Sequence, residues 1–339
     1  MTKQIVVFKA WEGWCDRLQV LTHLIKYCRN RNARLCVIWD DMVWGGGEFG
    51  FDEVMELVGV DTATKHEALR AMVQQGAKVH PPHWTFEDVY FRMPGRRAHL
   101  VGLNSVAKSY IPSIMTHGEP PVVNADVIVT NGDGDRLYDL SEFTTHVRFR
   151  PWVVEGIKTI LADFDPNSFV VHLRGTDRPD EGYVANAIKV LKEEFRLPIY
   201  VVTDELRLWE EFKAGVPHAK LVNPNSSSLR IKLPSKRGLH FALPSELKEQ
   251  GITKKELLIE FLADWFALVF AHTAVGREKS TYFMMARALH GAEGAVASDV
   301  LGGWKPQTKS CPDGNEAPVL SHREQEETGG AVAEFVPTT

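Results

Sequence analysis

Val171-His172-Leu173-Arg174-Gly175-Thr176-Asp177-Arg178-Pro179-Asp180-Glu181-Gly182 is the stretch that decides how this chain folds. It begins inside an apolar run, Phe169-Val-Val-His-Leu, and breaks into a charged loop before helical periodicity resumes at Val184, Ala187, Ile188 and Leu191. A short continuous apolar run suits a strand covered on both faces of a parallel sheet, with the periodic segment as its crossover helix. Three basic residues (His172, Arg174, Arg178) and four acidic or hydroxyl residues (Thr176, Asp177, Asp180, Glu181) then crowd the carboxyl end of that strand. Open α/β sheets bind their ligands at that end. His172 and Arg174 stand two apart on an extended chain, so both project to the same side. A solvated loop would account for an arbitrary string of this kind. Its place at a strand end favours a ligand instead, because Arg174 offers a rigid fork suited to diphosphate oxygens. A merely structural buried arginine would be costly there.

Outward from this stretch the alternation continues in both directions. Upstream, Trp152, Ile157, Ile160 and Leu161 mark the apolar face of a helix. Downstream follow a strand at 199–202, a helix at 206–212, a strand at 220–222, a helix at 254–262, a strand at 266–270, a helix at 281–289 and a last strand at 295–297. In the N-terminal half, a strand at 5–8, a helix carrying Leu18, Leu21, Ile25 and Cys28, and an apolar strand at 35–39 make one βαβ unit. Further strands are expected at 77–79, 99–103 and 127–130. Such alternation is the mark of doubly wound α/β folds. It predicts two Rossmann-like units of similar size, 1–148 and 149–303, facing a cleft where ligands bind. The polar, Pro/Gly-rich segment over 304–339 is expected to be a loose tail.

Composition bounds the function. With 339 residues, 44% hydrophobic and 24% charged, the chain is globular rather than disordered. Its 39 Lys plus Arg against 44 Asp plus Glu leave a net charge of −5, which argues against a dedicated nucleic-acid binder. No apolar run approaches the roughly 20 residues of a membrane span. The opening Met-Thr-Lys-Gln-Ile-Val-Val-Phe reads as a first strand rather than a signal peptide. Cys15, Cys28, Cys36 and Cys311 show no CxxC spacing, so neither a zinc site nor a disulfide framework is expected and a reduced, cytoplasmic setting is the default. Asp40-Asp41 is the nearest approach to a metal-binding carboxylate pair.

Three further strand or helix ends carry polar groups. Tyr200-Val-Val-Thr203-Asp204-Glu205 closes a strand on a hydroxyl and two carboxylates; Asp204 can accept two N–H donors from a guanine edge, and Thr203 or Asp204 can equally cap the next helix. Gly13-Trp-Cys-Asp16-Arg17-Leu18 lies between the first strand and helix, where a glycine permits close backbone approach and a helix start receives an anion. It lacks the GxGxxG spacing of a dinucleotide turn, and Asp16 is the expected N-cap. Lys279-Ser280-Thr281-Tyr282-Phe283 opens another helix with phosphate-compatible hydroxyls that would also serve as ordinary caps.

Taken in order, these pieces resemble the fucosyltransferase superfamily of α1,6-fucosyltransferases, bacterial nodulation fucosyltransferases and protein O-fucosyltransferases. The family's GGxGNRL-like loop is similar to Gly13-Trp-Cys-Asp16-Arg17-Leu18, and its HVRRTD-type motif to His172-Leu-Arg174-Gly175-Thr176-Asp177. Its TDD strand end resembles Thr203-Asp204-Glu205. Its serine cluster and GLH resemble Asn225-Ser-Ser227-Ser228 and Gly238-Leu-His240, and its SSF motif resembles Ser280-Thr281-Tyr282 with Ala286. The resemblance runs to about residue 300. It implies a GT-B architecture and inverting transfer from GDP-fucose without an obligatory metal or other cofactor. Arg174 would contact the diphosphate, and His172 and Asp204 would face the guanine. Asp177, Ser227, Ser280, Thr281, Gly13 and Arg17 would complete the donor site.

Three positions depart from the pattern. The second arginine of the usual pair is Gly175, the loop asparagine is Asp16, and the α1,6-enzymes' carboxylate base falls at Gly182. Glu181 and Asp180, one and two residues short of that position, are then the candidates for the base. The acceptor is a glycan or another hydroxyl compound, and the oligomeric state is not legible. A non-catalytic nucleotide- or sugar-binding protein on the same fold, or a transferase using another nucleotide sugar, remains open. An epimerase is disfavoured by the missing dinucleotide turn.

Overall fold

The computed structural model describes residues 3–10, 13–39, 49–80, 82, 84–90, 124–130, 140–175, 182–191, 197–231, 242, 244–277, 280–291, 294–308 and 332–335. Two compact units divide the chain. The first comprises Met1–Arg150 with His240–Lys248 and Thr253–Lys255; the second comprises Pro151–Leu239, Glu249–Ile252 and Glu256–Thr339.

The first unit is built on a four-stranded parallel sheet of order β2-β1-β5-β4, from β1 (Ile5–Lys9), β2 (Arg34–Ile38), β4 (Val79–His80) and β5 (Val127–Thr130). Every residue of β1 is buried, which is why its sequence is continuously apolar up to Lys9. Helix α1 (Trp14–Arg31) follows with Leu18, Leu21, Ile25 and Cys28 all inside, as their spacing predicts. It ends at Asn32, which takes the left-handed conformation and returns its N–H to the carbonyls of Cys28 and Arg29. Gly13, not Asp16, is the N-cap of α1; Asp16 sits in the first turn, where its charge complements the helix dipole. After the short helix α2 (Phe51–Val54), β3 (Met55–Leu57) pairs antiparallel with β6 (Val147–Phe149), a ribbon the sequence did not announce. Helix α3 (Lys65–Met72) starts on a capping box between Thr64 and Glu67. Helices α4 (Phe86–Tyr90) and α5 (Ser141–His146) complete the unit's described elements before β6.

The second unit carries a five-stranded sheet of order β11-β10-β7-β8-β9. After α6 (Pro151–Ile160) come β7 (Phe169–Leu173), α7 (Tyr183–Leu191), β8 (Ile199–Thr203), α8 (Leu206–Gly215) and β9 (Lys220–Leu221). Then follow α9 (Pro244–Lys248, in the first unit), α10 (Lys254–Phe270), β10 (Thr273–Arg277), α11 (Thr281–Gly291), α12 (Gly294–Val300) and β11 (Val332–Phe335). Strands β10, β7, β8 and β9 are parallel, and β7 and β8 are buried along their full length.

Three expectations are corrected here. The apolar run at 266–270 is the last turn and a half of α10, not a strand; Trp265 and Phe266 are fully buried in it, and a helix enclosed on all sides loses the periodicity that would reveal it. The strand is instead β10, Thr-Ala-Val-Gly-Arg, whose Gly276 is required because a Cβ there would come within 2.2 Å of the Phe283 ring. The expected strand at 295–297 is helix α12, in keeping with the helix preference of its alanines. The expectation of a loose tail fails at Val332–Phe335, which pairs antiparallel with Ala274–Arg277. The expected strand at 99–103, the Asp40-Asp41 pair, Cys311 and the loop 176–181 lie outside the described residues.

Candidate functional site

The carboxyl ends of β7 and β8 lie side by side, because the parallel register pairs Leu173 with Thr203. Just past these two ends, the Gly175 N–H donates to Asp204 Oδ1 over 2.9 Å. This bond ties the Asp204 carboxylate to the β7 end, where Arg174 is partly buried. Neither Thr203 nor Asp204 is the N-cap of α8; that position falls to Glu205, whose N–H is accepted by Thr203 Oγ1 at 3.2 Å. Asp204 is thereby released from capping and turned toward the β7 end.

Gly175, which stands at the place of the pattern's second arginine, is closely covered. A Cβ there would lie 1.8 Å from Glu205 Oε2 and 2.7 Å from Leu208 Cδ1, so the space a larger residue needs is filled from α8. Glu205 is in turn held by Arg207 at 3.1 Å.

His172 is buried, and its ring lies 5.0 Å from that of Tyr282 and 6.4 Å from that of Phe283, nearly parallel to the latter. These two aromatics stand in the first turn of α11, whose N-cap is Ser280: its Oγ accepts the Phe283 N–H at 3.4 Å. Ser280 and Thr281 thus begin the helix that closes over His172. On the far face of the sheet, the Tyr183 hydroxyl donates to the His172 carbonyl at 3.0 Å, and the Arg277 guanidinium lies 5.8 Å from the centre of the Tyr183 ring.

The serine cluster is ordered by a carboxylate. Glu260 on α10 accepts the N–H groups of Ser227 and Ser228 at 2.9 and 3.2 Å, while Ser227 Oγ accepts from Arg230 at 3.4 Å. One helical turn further on, Asp264 faces Glu260 and Asp204. Burial holds its carboxyl well above the usual carboxylate range, and the two neighbouring carboxylates push it the same way. In its protonated form Asp264 is a hydrogen-bond donor beside two acceptors.

The structure therefore brings together, around three adjacent strand ends of the second unit, His172, Arg174, Asp204, Ser280 and Thr281, with Ser227 reached through Glu260. Gly13 and Arg17 lie in the first unit. Arg17 is 1% exposed, its guanidinium 5.4 Å from the centre of the Trp39 ring. Asp177, Asp180 and Glu181 lie outside the described residues. Sequence reasoning missed Glu260, Asp264, Tyr183 and Arg277. Two carboxylates at i and i+4 in the apolar stretch 257–270 of α10 were the available signal for the first two. Among the described residues no group of three or more His, Cys, Asp or Glu is disposed to hold a metal ion, and no helix is long and apolar enough to cross a membrane.

This sheet and its neighbours define a known class of fold. The crystal structure of fucosyltransferase NodZ from Bradyrhizobium matches with a TM-score of 0.57 at 15% identity, covering 86% of this chain and 95% of that one. NodZ α-1,6-fucosyltransferase co-crystallised with GDP matches at a TM-score of 0.55 and 14% identity, over 86% of this chain and 94% of that one. The same enzyme soaked with GDP-fucose gives 0.56 and 14% over the same shares, 86% and 94%. Neither a family model nor a curated protein matches the sequence. The chain has the α/β, GT-B-type fold of these fucosyltransferase structures, as its motifs led one to expect.

Proposed function

We propose that this protein is a glycosyltransferase that moves fucose from GDP-fucose to a hydroxyl acceptor with inversion and without a metal. The observation that carries the reading is the Asp204 carboxylate, held by the Gly175 N–H at the carboxyl edge of parallel strands that also carries Arg174. Structures of this fold have been determined with GDP and after soaking with GDP-fucose. A guanidinium fork suits a diphosphate, and a carboxylate aimed along the edge suits the N–H donors of guanine. His172, Asp177, Ser227, Ser280 and Thr281 would complete the donor site. In this reading 149–303 is the donor domain, 1–148 the acceptor domain, and the protein works in the cytoplasm.

The chemistry balances simply. The acceptor hydroxyl loses its proton to a carboxylate, Glu181 first and Asp180 second, as its oxygen forms a bond to C1. The bond from C1 to the diphosphate oxygen breaks, and GDP leaves with the electron pair under the charge of Arg174. Calorimetric titration with GDP, UDP and TDP and their sugars tests the donor class. GDP should bind in preference to the other two, and Asp204→Asn should weaken guanine nucleotides more than uridine ones. Equal losses for both would end the guanine role of Asp204. Transfer that stops in EDTA and returns with Mn²⁺ or Mg²⁺ would end the metal-free mechanism. Binding of GDP-fucose without transfer to any glycan or other hydroxyl compound would leave a nucleotide-sugar-binding protein on this fold.

A further inference from the structure

In the first unit the Tyr90 ring is left half exposed, at 50%. A single aromatic on a surface needs no ligand to explain it. Two observations set this one apart. The first is that its neighbours hold it. Phe86, four residues earlier on α4, packs against the core that contains Leu69, Trp84 and Val89, and the Tyr90 ring lies 5.5 Å from the Phe86 ring at an interplanar angle of 11°. Lys65, the first residue of α3, brings its ammonium to 5.7 Å from the centre of the same ring. The second is its place in the fold. Lys9 ends β1 and donates to the carbonyl of Val89, the residue before Tyr90, at 2.9 Å. The end of α4 therefore meets the carboxyl end of β1, the edge at which a parallel sheet binds ligands.

We propose that Tyr90, stacked on Phe86 and flanked by Lys65, is the platform on which this protein binds a sugar ring of a glycan acceptor. A pyranose is apolar over the C–H groups of one face and polar around its rim. An aromatic ring matches the first, while a phenol and an ammonium supply hydrogen bonds to the second. A ring already stacked on an anchored neighbour gives up little conformational freedom on binding. The proposal rests on the glycosyltransferase reading above and narrows its hydroxyl acceptor to a carbohydrate. Tyr90 binds and orients in this account and moves no proton.

Calorimetric titration of the parent, Tyr90→Ala, Tyr90→Phe and Lys65→Gln with cello-, chito-, manno- and xylotetraose, and separately with GDP, tests it. The parent should bind at least one tetrasaccharide, and Tyr90→Ala should weaken that binding by about 10-fold with GDP affinity unchanged. Tyr90→Phe keeps the ring and should retain most of the affinity, and Lys65→Gln should lose less than Tyr90→Ala. Tyr90→Leu is apolar without a flat face, so it decides the matter should the alanine variant fail to fold, and the same saccharide-selective loss is expected. Saccharide affinity unchanged in Tyr90→Ala or Tyr90→Leu, an equal loss for saccharide and GDP, or a parent that binds GDP but none of the four tetrasaccharides overturns the platform and leaves the donor reading standing. A parent that binds a tetrasaccharide but no GDP overturns the donor reading, and with it the acceptor role. A parent that binds neither overturns both.

Discussion

At the carboxyl edge of the first sheet, Lys9 and Arg17 are each 1% exposed. Lys9 donates to the Val89 carbonyl at 2.9 Å, and Arg17 lies over Trp39, whose ring makes edge contacts at 5.1 Å with both Trp14 and Phe51. At the same edge of the second sheet, Arg174 and Arg277 stay partly buried, and the Asp204 carboxylate accepts the Gly175 N–H. The first sheet is parallel, the second is parallel over β10, β7, β8 and β9, and both present basic residues where such sheets bind ligands. What separates them is enclosure. Aromatic rings and a carbonyl enclose the charges of the first edge, whereas in the second the Tyr183 ring leaves Arg277 partly open. A basic residue near a strand end is thus evidence for a ligand only once its surroundings are known.

The contrast can be broken at four points. The largest effect is expected from Glu181→Gln, which should lower kcat by about 10²–10⁴-fold with GDP affinity nearly unchanged. Loss of GDP binding instead would move Glu181 into the donor site, and full activity in both Glu181→Gln and Asp180→Asn would remove the carboxylate base from this loop.

Next comes Arg17→Ala, in which emptying a large buried side chain should cost about 2–5 kcal/mol of folding stability, measured by urea denaturation. A stable variant with weakened GDP binding would show that the first edge does serve the donor and would erase the contrast. Arg174→Ala should behave in the opposite manner: a melting temperature close to the parent's and GDP binding weaker by about 2–4 kcal/mol. Unchanged GDP affinity would show that the second edge is as structural as the first.

The smallest effect is expected from Asp264→Asn. Burial raises the Asp264 carboxyl in the folded state, so the folded protein holds this proton more tightly than the unfolded chain. Its contribution to stability is complete below the unfolded carboxylate range and is lost as pH rises through the raised folded value. An asparagine mimics the protonated group, so the variant should match the parent in acid and gain on it as pH rises. Parallel curves of melting temperature against pH for the two proteins would contradict this assignment.

The motif residues of the second unit were legible because each stands at the end of a buried strand or the start of a helix, and those ends are marked by an abrupt change from apolar to polar sequence. His172, Arg174, Asp204 and Ser280 were all found that way. Arg277 was hidden because its strand, Thr-Ala-Val-Gly-Arg, contains a glycine that only the Phe283 ring explains, and because the apolar run just before it belongs to α10. Glu260 and Asp264 were hidden for the related reason that the expected helix stopped at 262, between them, so the face they share on α10 was cut in two.

The sequence by itself determined the α/β class, the order of the motifs along the chain and the absence of a cation at Gly175, since each of these depends on local pattern alone. Only the tertiary structure decided which charges are spent on packing and which stand at an edge. It also decided that Glu260 orders the serine cluster from 33 residues away, and that β10 is the strand beside β7. Burial and strand pairing are set by residues distant in the chain. A local window carries the propensity of a segment but not the identity of the groups that close over it.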